Sequence, residues 1–437
     1  MTSSTSKAER PGGGWLGAWP LAPLLVALVT GCGGGPTPKP RLDDNDPRLR
    51  MVLEGKPAPL MPLYRSLVEE GTRNEVLNSM QIGVAAMAQG DRALAADAFD
   101  KALVRIESIY AGTETAAKAR SLWFQEGAKD FKGEAYERAM VYYYRGLLYL
   151  MDGDFENARA SFKGGALQDA FAEEQQFQCD FALLIFLSGW ASQRAGDAEF
   201  ASEAYAEVKK FRPDFQPPPP DHNVLLVAET GQSPRKVSDG MGHYQLKYRP
   251  GKQFKENRAV FVLEDGTRLP AFPMEDIYLQ ATTRGGRMVD KILEGKAVFR
   301  QTAADIGTTV SQMGANVALA STVTDAMGGP NLQGVGAGLT LLGAVSTMAA
   351  VHSRPEADVR YWKNLPDRVH LATTRADPGE RAVTILFQAE GTDGDLDALT
   401  QKARIQFSQG AGVAWGRSQP ALVTEGQWHN LLKNDPP

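Results

Sequence analysis

Cysteine is nearly missing from this chain: Cys32 and Cys179 are the only two in 437 residues. A disulfide framework is excluded, so the fold must be held by packing. Histidine is almost as scarce, with His222, His243, His352, His370 and His429. No two of these lie three to five residues apart and none belongs to an HExxH run. A zinc site therefore has no support in the spacing. Basic residues are not in excess either, at 47 against 52 acidic ones, a formal charge of −5. With no basic cluster to neutralise phosphates, nucleic acid is not the expected partner. GxSxG, P-loop and CxxC motifs are all absent. Gly334-Val335-Gly336-Ala337-Gly338 is rich in glycine, but no strand precedes it and no lysine accompanies it, so close helix packing explains it better than a phosphate loop. Glu134, Glu137, Glu173 and Glu174 read as solvated helix faces rather than a glycosidase pair. The chain is expected to be non-enzymatic, with no metal and no cofactor.

What the sequence does contain is a secretory signal closed by a lipobox. Lys7 and Arg10 form a basic start, and Trp15 to Val29 is a short apolar run interrupted by proline. Val29-Thr30-Gly31-Cys32 then places small residues before a cysteine. A thiol is needed there because diacylglyceryl transfer makes a thioether, and cleavage frees the Cys32 amine for a further acyl chain. The covalent lipid on Cys32 would hold the protein at the membrane, since each buried methylene is worth ~0.8 kcal/mol. Gly33 rather than aspartate follows the cysteine, which favours the outer membrane. The expected location is the cell envelope, lipid-anchored and facing the periplasm. Once Cys32 is acylated Cys179 stands alone, and its apolar setting makes it a buried small hydrophobe.

Residues 1–31 are thus the signal peptide, and 32–58 a Gly-, Pro- and charge-rich tether. From 59 to 213 the apolar period is helical. One pattern recurs in it: a Gly followed by an acidic residue, an Ala five positions after that Gly and an aromatic nine after it. It occurs as Gly90-Asp91 with Ala95 and Phe99, Gly153-Asp154 with Ala158 and Phe162, and Gly196-Asp197 with Ala201 and Tyr205. A further Gly stands seven residues earlier each time, at Gly83, Gly146 and Gly189. This is tetratricopeptide-like: small residues let two antiparallel helices cross closely, the middle Gly makes the turn, and the aromatic fills the next gap. The spacings of 63 and 43 residues exceed the usual ~34, so the array is interrupted and 104–138 holds an insertion or a degenerate helix pair. Counting from each middle Gly, a concave groove would be lined by Met80 and Val84, Tyr143 and Leu147, and Phe186 and Trp190.

Pro217–Pro220 cannot continue a helix, so residues 214–221 read as a linker between domains. Residues 222–437 then alternate with period two. Asn223–Glu229, His243–Tyr248 and Arg258–Leu263 read as strands, with a tight turn at Glu264-Asp265-Gly266. Arg368–Thr374 and Arg381–Gln388 are expected to pair as a hairpin around Asp377-Pro378-Gly379, and Arg404–Ser408 and Gly412–Trp415 add short strands. An apolar helical hairpin at about 287–352 interrupts this β-rich module. Between Arg300 and Arg354 its only charges are Asp305 and Asp325. Three readings stay open for it: a hairpin buried on the β module, an oligomerising or membrane-apposed one, and a true span.

Three segments carry a family resemblance: Gly133–Arg138 leading into Tyr142-Tyr143-Tyr144, Glu229–Lys236, and Ala357–Trp362 with Leu365-Pro366. On these the chain resembles a family of bacterial lipoproteins with tetratricopeptide repeats and no characterised function. The resemblance implies an envelope protein whose repeats bind another protein, and it carries no catalytic residues. The expectation is an α+β chain: an interrupted tetratricopeptide-like helical domain, then a β-rich domain with an inserted apolar hairpin. It would act as an adaptor for another envelope protein or peptide segment. The alternative is a structural component, homo-oligomeric or membrane-apposed, that associates through 287–352.

Overall fold

The structure is a computed structural model that describes residues 41–110, 130–170, 181–232, 234–239, 245–251, 254–282, 358–379, 381–389 and 399–422. Cys32, Cys179, the segment 287–352 and the Gly334–Gly338 run lie outside these residues. The fold is α+β. Helix α1 (Pro47–Leu53) starts within the segment expected to be tether; Asp46 caps it and Leu49 is fully buried. Then come α2 (Met61–Glu70), α3 (Glu75–Ala88), α4 (Arg92–Tyr110), α5 (Ala135–Asp152), α6 (Phe155–Ala170), α7 (Ala182–Arg194) and α8 (Ala198–Phe211).

Helices α3 to α8 form three antiparallel hairpins built on one plan. At each turn the middle Gly is left-handed, with φ of 80° at Gly90, 77° at Gly153 and 87° at Gly196. The aspartate that follows then does two jobs. Its N–H returns to the carbonyl five residues back, from Asp91 to Ala86, Asp154 to Tyr149 and Asp197 to Ser192. Its carboxylate accepts from the N–H three residues on, at Leu94, Asn157 and Phe200. One Gly-Asp pair therefore closes one helix and caps the next. The early glycine lies under the aromatic of the partner helix. A Cβ on Gly83 would sit 2.5 Å from the Phe99 ring, and one on Gly146 would sit 2.3 Å from Phe162. At Gly189 it would meet Ala204 at 2.9 Å and Tyr205 at 3.0 Å.

After α8 the chain changes period and builds β1 (Val224–Thr230), β2 (Arg235–Asp239), β3 (Gln245–Arg249), β4 (Glu256–Leu263), β5 (Arg268–Pro270) and β6 (Phe272–Asp276). The short α9 (Ile277–Thr282) follows. Strands β7 (Arg368–Thr374), β8 (Arg381–Ala389), β9 (Leu399–Ser408) and β10 (Ala411–Arg417) come after the undescribed stretch. Eight of these strands form one sheet in the order β5-β4-β8-β9-β10-β1-β7-β6, while β2 and β3 pair separately. Strands β5 and β6 occupy opposite edges yet are joined by Ala271 alone, so the sheet must curl until its edges nearly meet. The expected hairpin around Asp377-Pro378-Gly379 does not form. β7 pairs with β1 and β6, whereas β8 pairs with β4 and β9, so the chain crosses from one side of the sheet to the other.

Strand β1 shows why the two halves cannot be separate bodies. All seven of its residues are buried, and its faces serve two cores. Val224, Leu226 and Ala228 pack inside the curled sheet with Phe261, Ile385 and Phe387. Leu225 and Val227 face the other way, into the core that holds Met80, Tyr143 and Trp190. This is the continuous apolar run of a strand buried on both sides. Pro217–Pro220 does stand between the last long helix and the first strand. Even so, the described residues from Asp43 onward form one compact unit, and the core runs through helices and sheet alike.

Candidate functional site

The six groove positions lie where the count from the glycines put them, on α3, α5 and α7, the first helix of each hairpin. None is open. Met80, Val84, Tyr143 and Leu147 are 0% exposed, Phe186 2% and Trp190 1%. The physical reason is that the sheet packs on these helices: Leu225, Val227, Leu371 and Val413 from the sheet, with Trp362, share that core. Tyr144 packs against both Trp362 and Trp415, with centroids 5.7 and 6.5 Å away. The expected groove is an internal interface, and a partner cannot reach these six residues in this fold.

A network of buried charges runs along that interface. Glu229 on β1 is completely buried, and its carboxylate accepts from the Tyr143 and Tyr144 hydroxyls at 3.0 Å each and from Trp415 Nε1 at 2.9 Å. Arg417 Nε lies 3.1 Å from Oε2. Burial pushes the Glu229 carboxyl up, and Arg417 opposes the shift. The two phenols are held well above their ordinary value, mainly by burial and then by the Glu229 charge, so they stay protonated donors.

Glu137 on α5 was expected on a solvated face, yet its side chain is 0% exposed. Its Oε1 accepts from the Trp362 N–H at 2.8 Å and its Oε2 from Lys236 Nζ at 2.7 Å. It also accepts from the Glu134 N–H, closing a capping box at the start of α5. Lys236 stands 5.4 Å from the Phe131 ring centroid, and the Arg360 guanidinium covers the same ring at 5.5 Å. Further along, Glu275 of β6 binds Arg212 at 2.8 Å and accepts from Gln280 and from the Leu183 N–H. Burial raises Glu275 to about 7 against the pull of Arg212. Burial and the nearby Asp276 charge raise Asp367 to about 7 as well.

The three segments behind the resemblance meet here. Glu137, Tyr143 and Tyr144 come from the first, Glu229 and Lys236 from the second, and Arg360 and Trp362 from the third. Sequence reasoning missed the role of Glu137, Glu229 and Glu275, because their partners are far away in the chain. The only local sign was an acid within an apolar run, as in Val224–Glu229. The carboxylates of Glu137, Glu229 and Glu275 are inside and already bonded. His370 is similar, its Nε2 being 2.9 Å from Thr230 Oγ1, and burial with Arg368 lowers it to about 4. No group of three or more His, Cys, Asp or Glu among the described residues could hold a metal ion.

Beside this interface lies a cleft of about 180 Å³. It lies between β9 and the turns of the first two hairpins. Met87, Met151 and Trp415 line its inner part, and Arg92, Lys402 and Arg404 line it as well. Arg92 is paired with Asp152 at 3.0 Å and donates to the Met151 carbonyl at 3.3 Å. Among the described residues no helix is long and apolar enough to cross a membrane. Compared with family models, curated proteins and solved structures, the chain matches none of them.

Proposed function

We propose that this is a non-enzymatic envelope lipoprotein, anchored by a lipid on Cys32, that works as a protein-protein adaptor. Its helical part belongs to the tetratricopeptide-repeat type. The observation that carries the reading is the threefold Gly-Asp turn with its glycine-under-aromatic crossing, joined to the lipobox at Val29–Cys32. The concave face, the usual ligand surface of such arrays, holds the chain's own sheet instead. The repeats therefore act as a frame that presents the curled sheet, and a partner must dock on the outside. Lipid attachment is tested with Cys32→Ser, which should leave uncleaved precursor at the inner membrane. Processing of that variant and its arrival at the outer membrane would refute the anchor. The adaptor role is tested by crosslinking in intact envelopes, with capture of one defined protein expected.

A second reading has its own observation. Residues 300–354 carry only Asp305 and Asp325 between two arginines, and no other stretch of this length is so poor in charge. A homo-oligomer or membrane-apposed component would associate through them. Light scattering of the mature chain, with and without residues 300–352, separates the two: the adaptor is a monomer in both forms.

A further inference from the structure

We propose that a pocket between the proline segment and strands β6 and β7 binds a small organic ammonium ion. The inference is independent of the adaptor reading. The pocket starts from the backbone, because a run of prolines takes the polyproline II form, which turns once in three residues. Burial follows that period: Phe215 and Pro218 are buried, while Gln216, Pro217, Pro219 and Pro220 are exposed. The two buried side chains face the sheet, where Phe272 of β6 lies opposite Leu371 of β7. At the end of α7, Gln193 donates to the Pro219 and Pro220 carbonyls at 3.4 Å each, and Arg194 to that of Pro220 at 3.3 Å. The segment is thereby held off the sheet, and a space of about 170 Å³ stays open beneath it. A wall of stiff, anchored prolines is ordered before any ligand arrives, which lowers the cost of binding.

The occupant follows from what lines this space. Phe186, Phe215 and Phe272 bring three aromatic rings to it. Phe215 stands at 89° to Phe186, with centroids 5.7 Å apart, and at 62° to Phe272, with centroids 5.9 Å apart. Rings turned across one another bound the space on more than one side, and their negative faces attract a cation. Phe186 closes the floor, where a protein partner cannot reach but a group of a few atoms can. Asp214 is the one charged residue in the lining, and its exposed side chain has no hydrogen bond or ion pair with any described residue. Arg212, two residues earlier, is already committed to Glu275 and to the Met274 carbonyl. Thr373 Oγ1, also in the lining, is bonded to His222 Nδ1 at 2.9 Å. An anion would be repelled by Asp214, and a neutral apolar molecule would leave it unused. A compact cation with methyl groups uses both the rings and the carboxylate. The size agrees, since a cavity of about 150 Å³ encloses benzene and a trimethylammonium head has similar bulk.

The test titrates choline calorimetrically into the mature lipidated chain, held in a detergent whose headgroup contains no nitrogen. Saturable binding is expected, about tenfold or more tighter than for 3,3-dimethyl-1-butanol, which has the same shape and no charge. Asp214→Asn should weaken choline about threefold or more and leave the neutral alcohol unchanged. That side chain is exposed, so the melting temperature of the variant should stay near that of the parent. Phe272→Leu keeps an apolar wall but removes one ring, and it should also weaken choline more than the alcohol. Asp97→Asn removes an exposed acid from α4, in the first hairpin, and should leave choline binding unchanged. Glycerophosphocholine separates the sources of such an ion. Binding as tight as that of choline identifies a lipid headgroup, and binding about tenfold weaker identifies a free amine. Equal affinity for choline and the alcohol would show a merely apolar pocket and overturn the site. Choline binding untouched by Asp214→Asn, or no saturable binding at all, would overturn it as well.

Discussion

At the scale of single residues, the buried acids decide how this protein responds to pH. Glu275 is raised to about 7 in the folded state, from an ordinary value near 4.5. Between those limits the folded chain keeps a proton that the unfolded chain has lost, so stability falls as pH rises through the window. Asp367, also raised to about 7, acts in the same direction. His370 opposes them: lowered to about 4 from 6.5, it leaves the unfolded chain with the extra proton between those values, so its contribution grows as pH rises. Replacing Glu275 by Gln keeps the shape and an acceptor for Arg212 but removes one titration. The variant should gain thermal stability relative to the parent between pH 5 and pH 7.5. Melting curves across that range check it, and a difference that does not change with pH would refute the assignment. Glu229 differs in kind, because Arg417, two phenols and an indole already surround it. Removing such a carboxylate strands a buried guanidinium, which costs about 3–5 kcal/mol.

At the scale of elements, the crossing glycines hold the hairpins together. Gly146 lies so close under Phe162 that a methyl group would have to displace the ring. Gly146→Ala should therefore cost about 1–3 kcal/mol by overpacking, despite the better helix propensity of alanine. Adding Phe162→Leu should return part of that loss, because a smaller side chain clears the space. Denaturant unfolding of the single and double variants gives the coupling, and strict additivity would show that the contact does not matter. This geometry was legible in the sequence because each of its parts, the turn glycine, the capping aspartate and the aromatic, falls within one hairpin. Strands β4, β7 and β8 were legible because their patterning is local, and β1 because Val224–Ala228 is a short continuous apolar run after the prolines. Pairing was not. Arg368–Thr374 and Arg381–Gln388 looked like a hairpin because only a short polar loop separates them, and nothing local shows that β1 outcompetes β8 for β7. The charge network was hidden for a related reason: Glu229 and its tyrosines are more than eighty residues apart in the chain, and Trp362 is 225 residues from Glu137.

At the scale of the whole molecule, the proline segment suggested two domains that could fold alone, and the core argues otherwise. Met80, Tyr143, Tyr144 and Phe186 are shielded on one side by strands and by Trp362, none of which belongs to the helical half. A chain ending at Pro213 would expose all four together, with Glu137 stripped of Lys236 and of the Trp362 N–H. Each large apolar side chain returned to water forfeits about 1.5–3 kcal/mol, and a domain is stable by only about 5–15 kcal/mol in all. The truncated chain should therefore lack a cooperative thermal transition, bind a hydrophobic dye and aggregate without detergent, whereas residues 33–437 should unfold in one step. A cooperative melt of the fragment within a few degrees of the full chain would show that the helices are self-sufficient. In that case the sheet would be a detachable ligand of the groove, and the six positions from Met80 to Trp190 would again be open to a partner. The number of buried bonds that cross from helices to sheet argues for the single-step outcome: Tyr143 and Tyr144 to Glu229, Lys236 to Glu137, and Arg212 to Glu275 would all have to break together.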